Sequence, residues 1–258
     1  MLFRSAGVAE RLAAEGADVV LVARTAGPGG SHLDGSLAEV TSRLAVHGTR
    51  VAPYVADLAD EDSRAGIVPA AEELLGGTVE ILVNNAAAAI YQPLAGFPLH
   101  RRRLTFEVNV HAPLDLVQAV LPGMRAAGEG WIVNVSSASA RHFDGPPFEL
   151  VEPGADLAVY AASKAALNRM TNGLGAELHG TGIRVNTVQP RAAVLSEGAS
   201  LLVGGTIRPD QVESLAEMAE AVLALCDCPA DVTGRTTVSL DLIRDWGLTV
   251  HPLEGAPA

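Results

Sequence analysis

The chain has 258 residues, of which 48% are hydrophobic and 19% charged, and its formal net charge is −12. This composition excludes a disordered polypeptide, because it supplies enough apolar side chains for a core. The acidic balance disfavours nucleic acid and anionic membrane surfaces as partners. No apolar run reaches the ~18 residues of a membrane span, and the N-terminus lacks a signal-peptide pattern, so we expect a cytoplasmic protein without a membrane partner.

The predicted elements alternate between helix and strand from the start of the chain. An amphipathic helix over 6–15 ends at Gly16 and precedes a β-branched strand over 18–23. Further strands are predicted at 50–56, 80–83, 131–135, 183–188 and 236–240, and further helices at 35–46, 60–75, 99–127, 157–179 and 209–225. The strands are short and apolar, which is typical of a parallel sheet covered on both faces. This alternation indicates one α/β domain over 1–258 with a doubly wound parallel sheet.

Two loops break the alternation: a Gly/Pro-rich segment at 25–34 and a Pro-rich segment at 141–155. The second is either a lid facing the substrate or a solvent-exposed insertion. In doubly wound sheets, ligands bind at the carboxyl ends of the strands. Small residues and hydrogen-bonding side chains gather at these ends, so we expect a ligand crevice there. The two cysteines, Cys226 and Cys228, are too close for an ordinary disulfide or a paired-cysteine zinc site, and we expect reduced thiols at a helix end.

The segment "YAASKAAL" carries the most specific chemical signal. Tyr160 and Lys164 are four residues apart on a predicted helix and therefore share one face. Lys164 is the only lysine among 18 basic residues, which indicates a site that arginine cannot serve. An ammonium beside a phenol favours the phenolate, which makes tyrosine a useful acid–base group near neutral pH. A surface helix pair without a catalytic role is the alternative interpretation.

Several motifs in order resemble the short-chain dehydrogenase/reductase family over roughly residues 5–240. The motifs are "NNAA" at 84–87, "FEVNVHAPL" with its asparagine at 109, "LPGMRAAGEGWIVNVSS" at 121–137, "YAASKAAL" at 160–167 and "IRVNTVQP" at 183–190. The resemblance implies a single Rossmann-type domain. It also implies hydride transfer between NAD(P)(H) and a small-molecule carbonyl or alcohol.

The resemblance implies four catalytic residues. Tyr160 would exchange a proton with the substrate oxygen, while Lys164 would assist Tyr160 and hold the nicotinamide ribose. Ser137 would donate a hydrogen bond to the developing alkoxide, which stabilises charge in the transition state. Asn109 would hold a water in a proton relay to Lys164. No metal is implied.

The resemblance also implies cofactor contacts at the strand ends. The adenine would contact Asp57 and Leu58, and its ribose would lie along the backbone of Asn85, Ala86 and Ala87. The nicotinamide would lie along Pro190 and Ala193. At the end of the strand over 18–23, Arg24 stands where an NAD-preferring site has an acid, and a guanidinium suits a 2′-phosphate. We therefore expect NADP(H) to be favoured over NAD(H).

The sequence departs from the family pattern at the cofactor phosphates. Residues 1–5 replace the expected first strand and the turn Thr-Gly-x-x-x-Gly-x-Gly, so the fold is predicted to be N-terminally truncated. Without that strand, its two neighbours would have unpaired edges. Either the sequence starts inside a longer natural chain or it is a genuine short form. Ala87 replaces a family glycine, Arg191 follows Pro190 in place of glycine, and Leu195 stands where a threonine is usual.

These departures leave a second function open, a non-catalytic binding or scaffold protein that keeps the fold without the cofactor. The resemblance further implies a homodimer or homotetramer, paired through the helices at 99–127 and 157–179. The C-terminal tail, 241–258, differs from the family ending and carries apolar residues. We expect it to pack against another surface, such as a neighbouring subunit.

Overall fold

The computed structural model describes residues 2–25, 36–146, 156–194 and 212–255. Within these ranges no helix is both long and apolar enough to cross a membrane. The strands are β1 (Val19–Ala23), β2 (Val51–Val55), β3 (Ile81–Asn84), β4 (Gly130–Val135), β5 (Ile183–Gln189), β6 (Ala193–Val194), β7 (Val212–Glu213) and β8 (Thr236–Val238). The helices are α1 (Leu2–Ala14), α2 (Leu37–Leu44), α3 (Glu61–Ala65), α4 (Ile67–Leu75), α5 (Leu99–Phe106), α6 (Ala112–Ala127), α7 (Ala158–Glu177), α8 (Leu215–Cys226) and α9 (Ser239–Trp246).

Every strand pairing among the described residues is parallel, as the sequence predicts. One sheet contains β1 and β2, and a second has the order β3-β4-β5-β8. In the described part of the chain, β1 and β3 each keep one edge that pairs with no strand. Their residues are mostly half-buried, whereas those of β5 are buried throughout. Within the described residues these strands thus form two separate sheets and not one continuous sheet.

Helices cover both faces of the four-stranded sheet. On β4, Ile132 belongs to a buried cluster with residues of α6, whereas Val133 and Val135 belong to a cluster with residues of α8. Because alternate residues of a strand point to opposite faces, α6 and α8 lie on opposite sides of the sheet. A third cluster joins α1 and α2 to Leu21 of β1. These layers confirm the predicted doubly wound α/β fold.

Two long predicted helices are interrupted in the structure. The helix predicted at 60–75 is broken between α3 and α4, since Pro69 has no N–H to donate to the carbonyl of Ala65 and its ring would clash there. The helix predicted at 99–127 contains a π-helical turn, Glu107–His111, between α5 and α6. Such turns recur at functional sites. This one carries Asn109.

Two predicted boundaries near the C-terminus are wrong. The predicted helix at 209–225 begins only at α8, because Ser214 and Glu217 form a capping box there and the two residues before Ser214 pair as β7. Positions 209–211 lie outside the described residues. The predicted strand at 236–240 ends at Val238, and Ser239 already begins α9. The tail after α9 packs on its own chain: Leu253 joins the α8 cluster, and a Cβ on Gly7 would lie 3.4 Å from Leu253 Cδ1.

Candidate active site

The carboxyl end of β4 supplies the first part of the site. Ser136 and Ser137 follow the last strand residue, Val135, and a short 3₁₀ turn begins at Ala138. The hydroxyl of Ser137 accepts a hydrogen bond from the backbone N–H of Ser139, at 3.3 Å, and lies 2.9 Å from the Ser139 hydroxyl. Ser137 is half-buried, and its contacts with Ser139 orient its hydroxyl at the carboxyl end of β4.

Helix α7 brings its predicted residues to the same place. Tyr160 and Lys164 are 5% and 2% exposed. Lys164 Nζ donates a hydrogen bond of 2.7 Å to the carbonyl of Val135, and Ser136 Oγ donates to the Lys164 carbonyl at 3.4 Å. The single lysine is therefore buried against the strand end that leads into Ser137. This contact excludes the interpretation of Tyr160 and Lys164 as a surface helix pair.

Asn109 joins three elements at the back of the site. It is fully buried, and its side-chain oxygen accepts a 2.7 Å hydrogen bond from the Ala88 N–H. Its nitrogen donates to the Ala88 carbonyl at 3.2 Å and to Ser163 Oγ at 2.9 Å. Ser163 Oγ in turn donates to the Tyr160 carbonyl at 2.7 Å. Asn109 thus fixes the loop after β3 against α7, since both N–H groups of its amide are used by the protein.

Tyr91 is a site residue that sequence reasoning missed. Its ring packs edge-on against Tyr160, with 5.4 Å between the ring centroids and 63° between the ring planes. The loop that carries it is tied to the start of α7, because the Gln92 N–H donates to the Asp156 carbonyl at 3.2 Å. Nothing in the spacing of Tyr91 predicts this contact. Its only sequence signal is its place shortly after "NNAA".

The predicted adenine-side residues lie at the ends of β1 and β2. These strands are neighbours, so exposed Arg24 and half-buried Asp57 follow adjacent strand ends. The Asp57 carboxylate accepts a 2.9 Å hydrogen bond from the Ala59 N–H. The carbonyl of Leu58 accepts from Arg64 Nη1 at 2.7 Å.

Arg64 is a second residue that sequence reasoning missed. Its guanidinium is buried, and it also binds Glu107 at 2.6 Å and Asp115 at 2.7 Å. These hydrogen bonds and charges raise the Arg64 pKa, although burial acts against them. Since Glu107 begins the π turn and Leu58 lies in the loop after β2, Arg64 links that loop to the turn that carries Asn109.

The predicted nicotinamide side follows β5. Pro190 is buried, and Ala193 begins β6, which pairs with β7. Between them, the Arg191 carbonyl accepts a hydrogen bond from Arg141, and Arg191 Nη2 binds Asp241 at 2.6 Å. Arg141 Nε also donates to the Ala138 carbonyl at 3.2 Å, so the β5–β6 turn and the turn after Ser137 are held together. Leu195, which stands where a threonine is usual, lies outside the described residues.

The donor set at this edge fits the nicotinamide and ribose half of a dinucleotide. A phenol, an ammonium and a serine hydroxyl stand beside backbone groups at the ends of β3, β4 and β5, which suits a ribose and a reacting carbonyl. On the phosphate side, Asn85 donates to Ser5 Oγ, so the first turn of α1 lies beside the end of β3. A helix N-terminus there favours an anion. The first turn of α1, residues 2–5, contains no glycine.

Fold and site define a class: a doubly wound parallel α/β protein with a Ser–Tyr–Lys set at the carboxyl edge of its sheet. Comparison with known proteins makes the assignment specific. The family model described as short chain dehydrogenase matches residues 5–202. The chain belongs to the short-chain dehydrogenase family.

Among curated relatives, glycine betaine reductase ATRR of Emericella nidulans is 35% identical over 185 residues, which are 72% of this chain and 13% of that protein. The 2,3-dihydroxy-2,3-dihydro-p-cumate dehydrogenase of Pseudomonas putida is 33% identical over 72% of this chain and 65% of its own. The ketoacyl reductase HetN of a Nostoc species is matched over only 57% of its length. The chain therefore spans less than two thirds of each of these three relatives.

Solved structures show the same fold. A short chain dehydrogenase from Mycobacterium thermoresistibile superposes with a TM-score of 0.80 at 26% identity, covering 98% of this chain and 90% of that one. A 3-oxoacyl (acyl-carrier-protein) reductase from Agrobacterium tumefaciens, solved with NADP bound, gives 0.74 at 25% identity over 91% and 88%.

Proposed function

We propose that this chain is an NAD(P)-dependent oxidoreductase that interconverts a carbonyl and an alcohol on a small molecule. The observation that carries the proposal is the placement of its only lysine. Lys164 is buried, one helical turn from Tyr160, with Nζ 2.7 Å from the Val135 carbonyl beside Ser137. Burying an ammonium is costly unless it is paired and hydrogen-bonded, so a buried lysine in a chain that otherwise uses arginine favours a functional role. The same arrangement supports catalysis over the binding-only alternative.

In the proposed reaction, bound nicotinamide cofactor supplies or accepts the hydride. Tyr160 Oη gives a proton to the substrate oxygen during reduction and takes it back during oxidation. Ser137 Oγ donates a hydrogen bond to the same oxygen as negative charge develops on it. Lys164 stabilises the phenolate form of Tyr160 by its charge, and Asn109 keeps the loop after β3 in place behind both residues.

Binding and turnover test this proposal. Titration of the protein with NADPH and with NADH, followed by cofactor fluorescence, should show saturable binding of at least one. Tyr160→Phe should abolish turnover of any carbonyl substrate found in a panel while leaving the cofactor Kd nearly unchanged. Retained turnover in this variant would refute the role of Tyr160, and no binding of either cofactor at millimolar concentration would refute the enzyme.

We propose NADP(H) as the preferred cofactor. Arg24 is exposed at the end of β1, where its guanidinium can pair with a 2′-phosphate. The Agrobacterium neighbour binds NADP, which supports the choice without deciding it. Arg24→Ala should weaken NADPH binding and leave NADH binding unchanged. Equal losses for both cofactors, or a strong NADH preference of the wild type, would reverse the assignment.

We propose a homodimer or homotetramer in which α7 and the α5–α6 helix meet their copies. Small or polar residues occupy an exposed stripe at helical spacing along α7, among them Ala158, Ala162 and Ala165. A helix stripe of small side chains permits close packing of a second helix. Ala165→Glu should shift the mass measured by light scattering toward the monomer. Val46→Glu, at an exposed position after α2, is the matched control and should leave the mass unchanged.

A further inference from the structure

A buried carboxyl group lies behind the predicted nicotinamide side of the site. Glu213, the last residue of β7, is fully buried. One of its oxygens accepts a hydrogen bond from the backbone N–H of Arg191, and the other contacts the hydroxyl of Ser239. Ser239, also fully buried, begins α9, and its Oγ lies 3.3 Å from the Gln189 carbonyl. One side chain therefore joins the β5–β6 turn to β7 and α9.

We propose that Glu213 is a positioning residue that fixes the β5–β6 turn, and with it Pro190 and Ala193, against which the nicotinamide would lie. The inference rests on the proposed function, because that function gives the turn its role. The described side-chain contacts of Glu213 are with Arg191 and Ser239 of its own chain. Glu213 acts through the backbone of Arg191, which directly follows Pro190.

Further contacts of Arg191 connect the β5–β6 turn to the turn after Ser137 on one side and to α9 on the other. The Arg191 carbonyl accepts from Arg141, which also donates to the Ala138 carbonyl one residue after Ser137. On the other side, the Arg191 guanidinium is held by Asp241 of α9. The backbone N–H, the carbonyl and the side chain of Arg191 are thus all engaged. Of these three contacts, only the hydrogen bond from the backbone N–H has a fully buried carboxyl group, that of Glu213, as its partner.

The hydrogen-bond pattern fits the neutral form of Glu213. The Ser239 hydroxyl has one proton but contacts two acceptors, Glu213 and the Gln189 carbonyl. A protonated Glu213 removes this conflict, since it can donate to Ser239 Oγ while Ser239 donates to Gln189. Burial raises the pKa of Glu213, and the charge of Glu217 adds to this, whereas the Ser239 and Arg191 contacts act in the opposite direction.

The test compares Glu213→Ala with Glu213→Gln. A glutamine keeps both functions of the neutral acid: its oxygen can accept from Arg191, and its amide can donate to Ser239. Glu220→Ala serves as the matched control, because Glu220 is also buried but pairs with Arg11 and the His251 N–H, on the side of α1 and the tail. Hydrogen exchange of the segment 188–194 is measured in all variants, with NADPH affinity, kcat and KM.

Glu213→Ala should speed exchange of this segment and weaken NADPH binding by about tenfold each, the scale of one lost buried hydrogen bond. The fold increase in KM for the cofactor should exceed the fold decrease in kcat. Glu213→Gln should restore the wild-type exchange rate and NADPH affinity, and Glu220→Ala should change neither. The inference fails if Glu213→Ala leaves the segment as protected as in the wild type, if glutamine does not rescue it, or if Glu220→Ala has the same effects. If the wild type binds no dinucleotide, the proposed function fails, while the exchange comparison still decides whether Glu213 fixes the turn.

Discussion

Lys164 shows at the residue scale why a conservative change can be severe. Its ammonium is almost fully buried, and the carbonyl that it meets belongs to the strand end leading into Ser137. A guanidinium is larger, planar and rigid, so it cannot occupy the same space with the same contact. The chain uses arginine at every other Lys or Arg position, so Lys164 is the one place where the sequence keeps an ammonium.

Lys164→Arg should reduce turnover by at least about a hundredfold and lower the free energy of unfolding by about 1–3 kcal/mol, the usual range for overpacking. Urea denaturation and steady-state kinetics measure the two effects. Lys164→Met, of similar length without the charge, should also lose turnover but retain more stability. Turnover near the wild-type level in Lys164→Arg would show that a guanidinium can replace the ammonium at this position.

The sequence predicts those site residues that belong to a local motif. Helical spacing places Tyr160 and Lys164 on one face of α7, and the family resemblance indicates Ser137. Tyr91, Arg141 and Glu213 are missed, because each meets its partner only through the tertiary fold. Glu213 sits within a predicted helix, and a solvated face is the default for a carboxylate there. Its burial depends on Ser239 and Arg191, which no spacing rule connects.

At the element scale, the divided sheet predicts uneven protection of the backbone. In a parallel strand with a neighbour on one side only, about half of the backbone groups lack a ladder partner. Amides on the unpaired edges of β1 and β3 should therefore exchange with solvent faster than those of β5, which is paired on both sides. Hydrogen exchange resolved by residue measures this difference. Equal protection of β1, β3 and β5 would mean that another strand covers the two edges.

Helix α7 offers a second test at this scale, because two of its glycines have opposite surroundings. A Cβ on Gly175 would lie 2.3 Å from the Gly234 Cα, a backbone atom that cannot move aside, whereas a Cβ on Gly173 would lie 3.4 Å from the end of the Arg169 side chain. Gly175→Ala should thus destabilise the protein by about 1–3 kcal/mol. Gly173→Ala should stabilise it by about 0.5–1 kcal/mol through helix propensity. Chemical denaturation compares the two, and a stable Gly175→Ala would show that the loop at Gly234 yields.

Element boundaries are predicted well where the cue is local and poorly where packing decides. Gly16 and the apolar run after it locate β1 correctly to within one residue. The π turn at Glu107–His111 has no such cue, since Asn109 reaches its partners on the loop after β3 and on α7. The start of α9 at Ser239 is likewise set by a buried contact with Glu213. Sequence patterns therefore give the order of the elements, and tertiary hydrogen bonds adjust their ends.

At the scale of the whole molecule, the reactivity of the two thiols measures how well the main core excludes solvent. Cys226 and Cys228 are reduced and buried in the cluster that joins β4, β5 and α8. Burial raises the pKa of both thiols, which disfavours the reactive thiolate. A thiol reagent should therefore modify neither cysteine in the native protein and both after unfolding in urea. Fast reaction of one thiol with the circular dichroism spectrum intact would indicate local opening at the end of α8.

The global stability should carry a pH dependence that originates at Glu213. Its pKa in the folded protein is raised above the ordinary value of 4.5, with burial as the largest cause. Above that ordinary value the native state binds more protons than the unfolded chain, so this group's stabilising contribution is complete below it and is lost as pH rises through the raised pKa. Glu213→Gln removes the ionisation. The free energy of unfolding of this variant minus that of the wild type should increase as pH rises from 4.5, by at most about 1.4 kcal/mol per pH unit. The increase should stop once the wild-type carboxyl is ionised. Urea titrations of both proteins across this range measure the difference, in which the other carboxyl groups cancel. If the wild type instead becomes more stable relative to the variant as pH rises, Glu213 is held as a carboxylate, because only a lowered pKa makes the difference change in that direction.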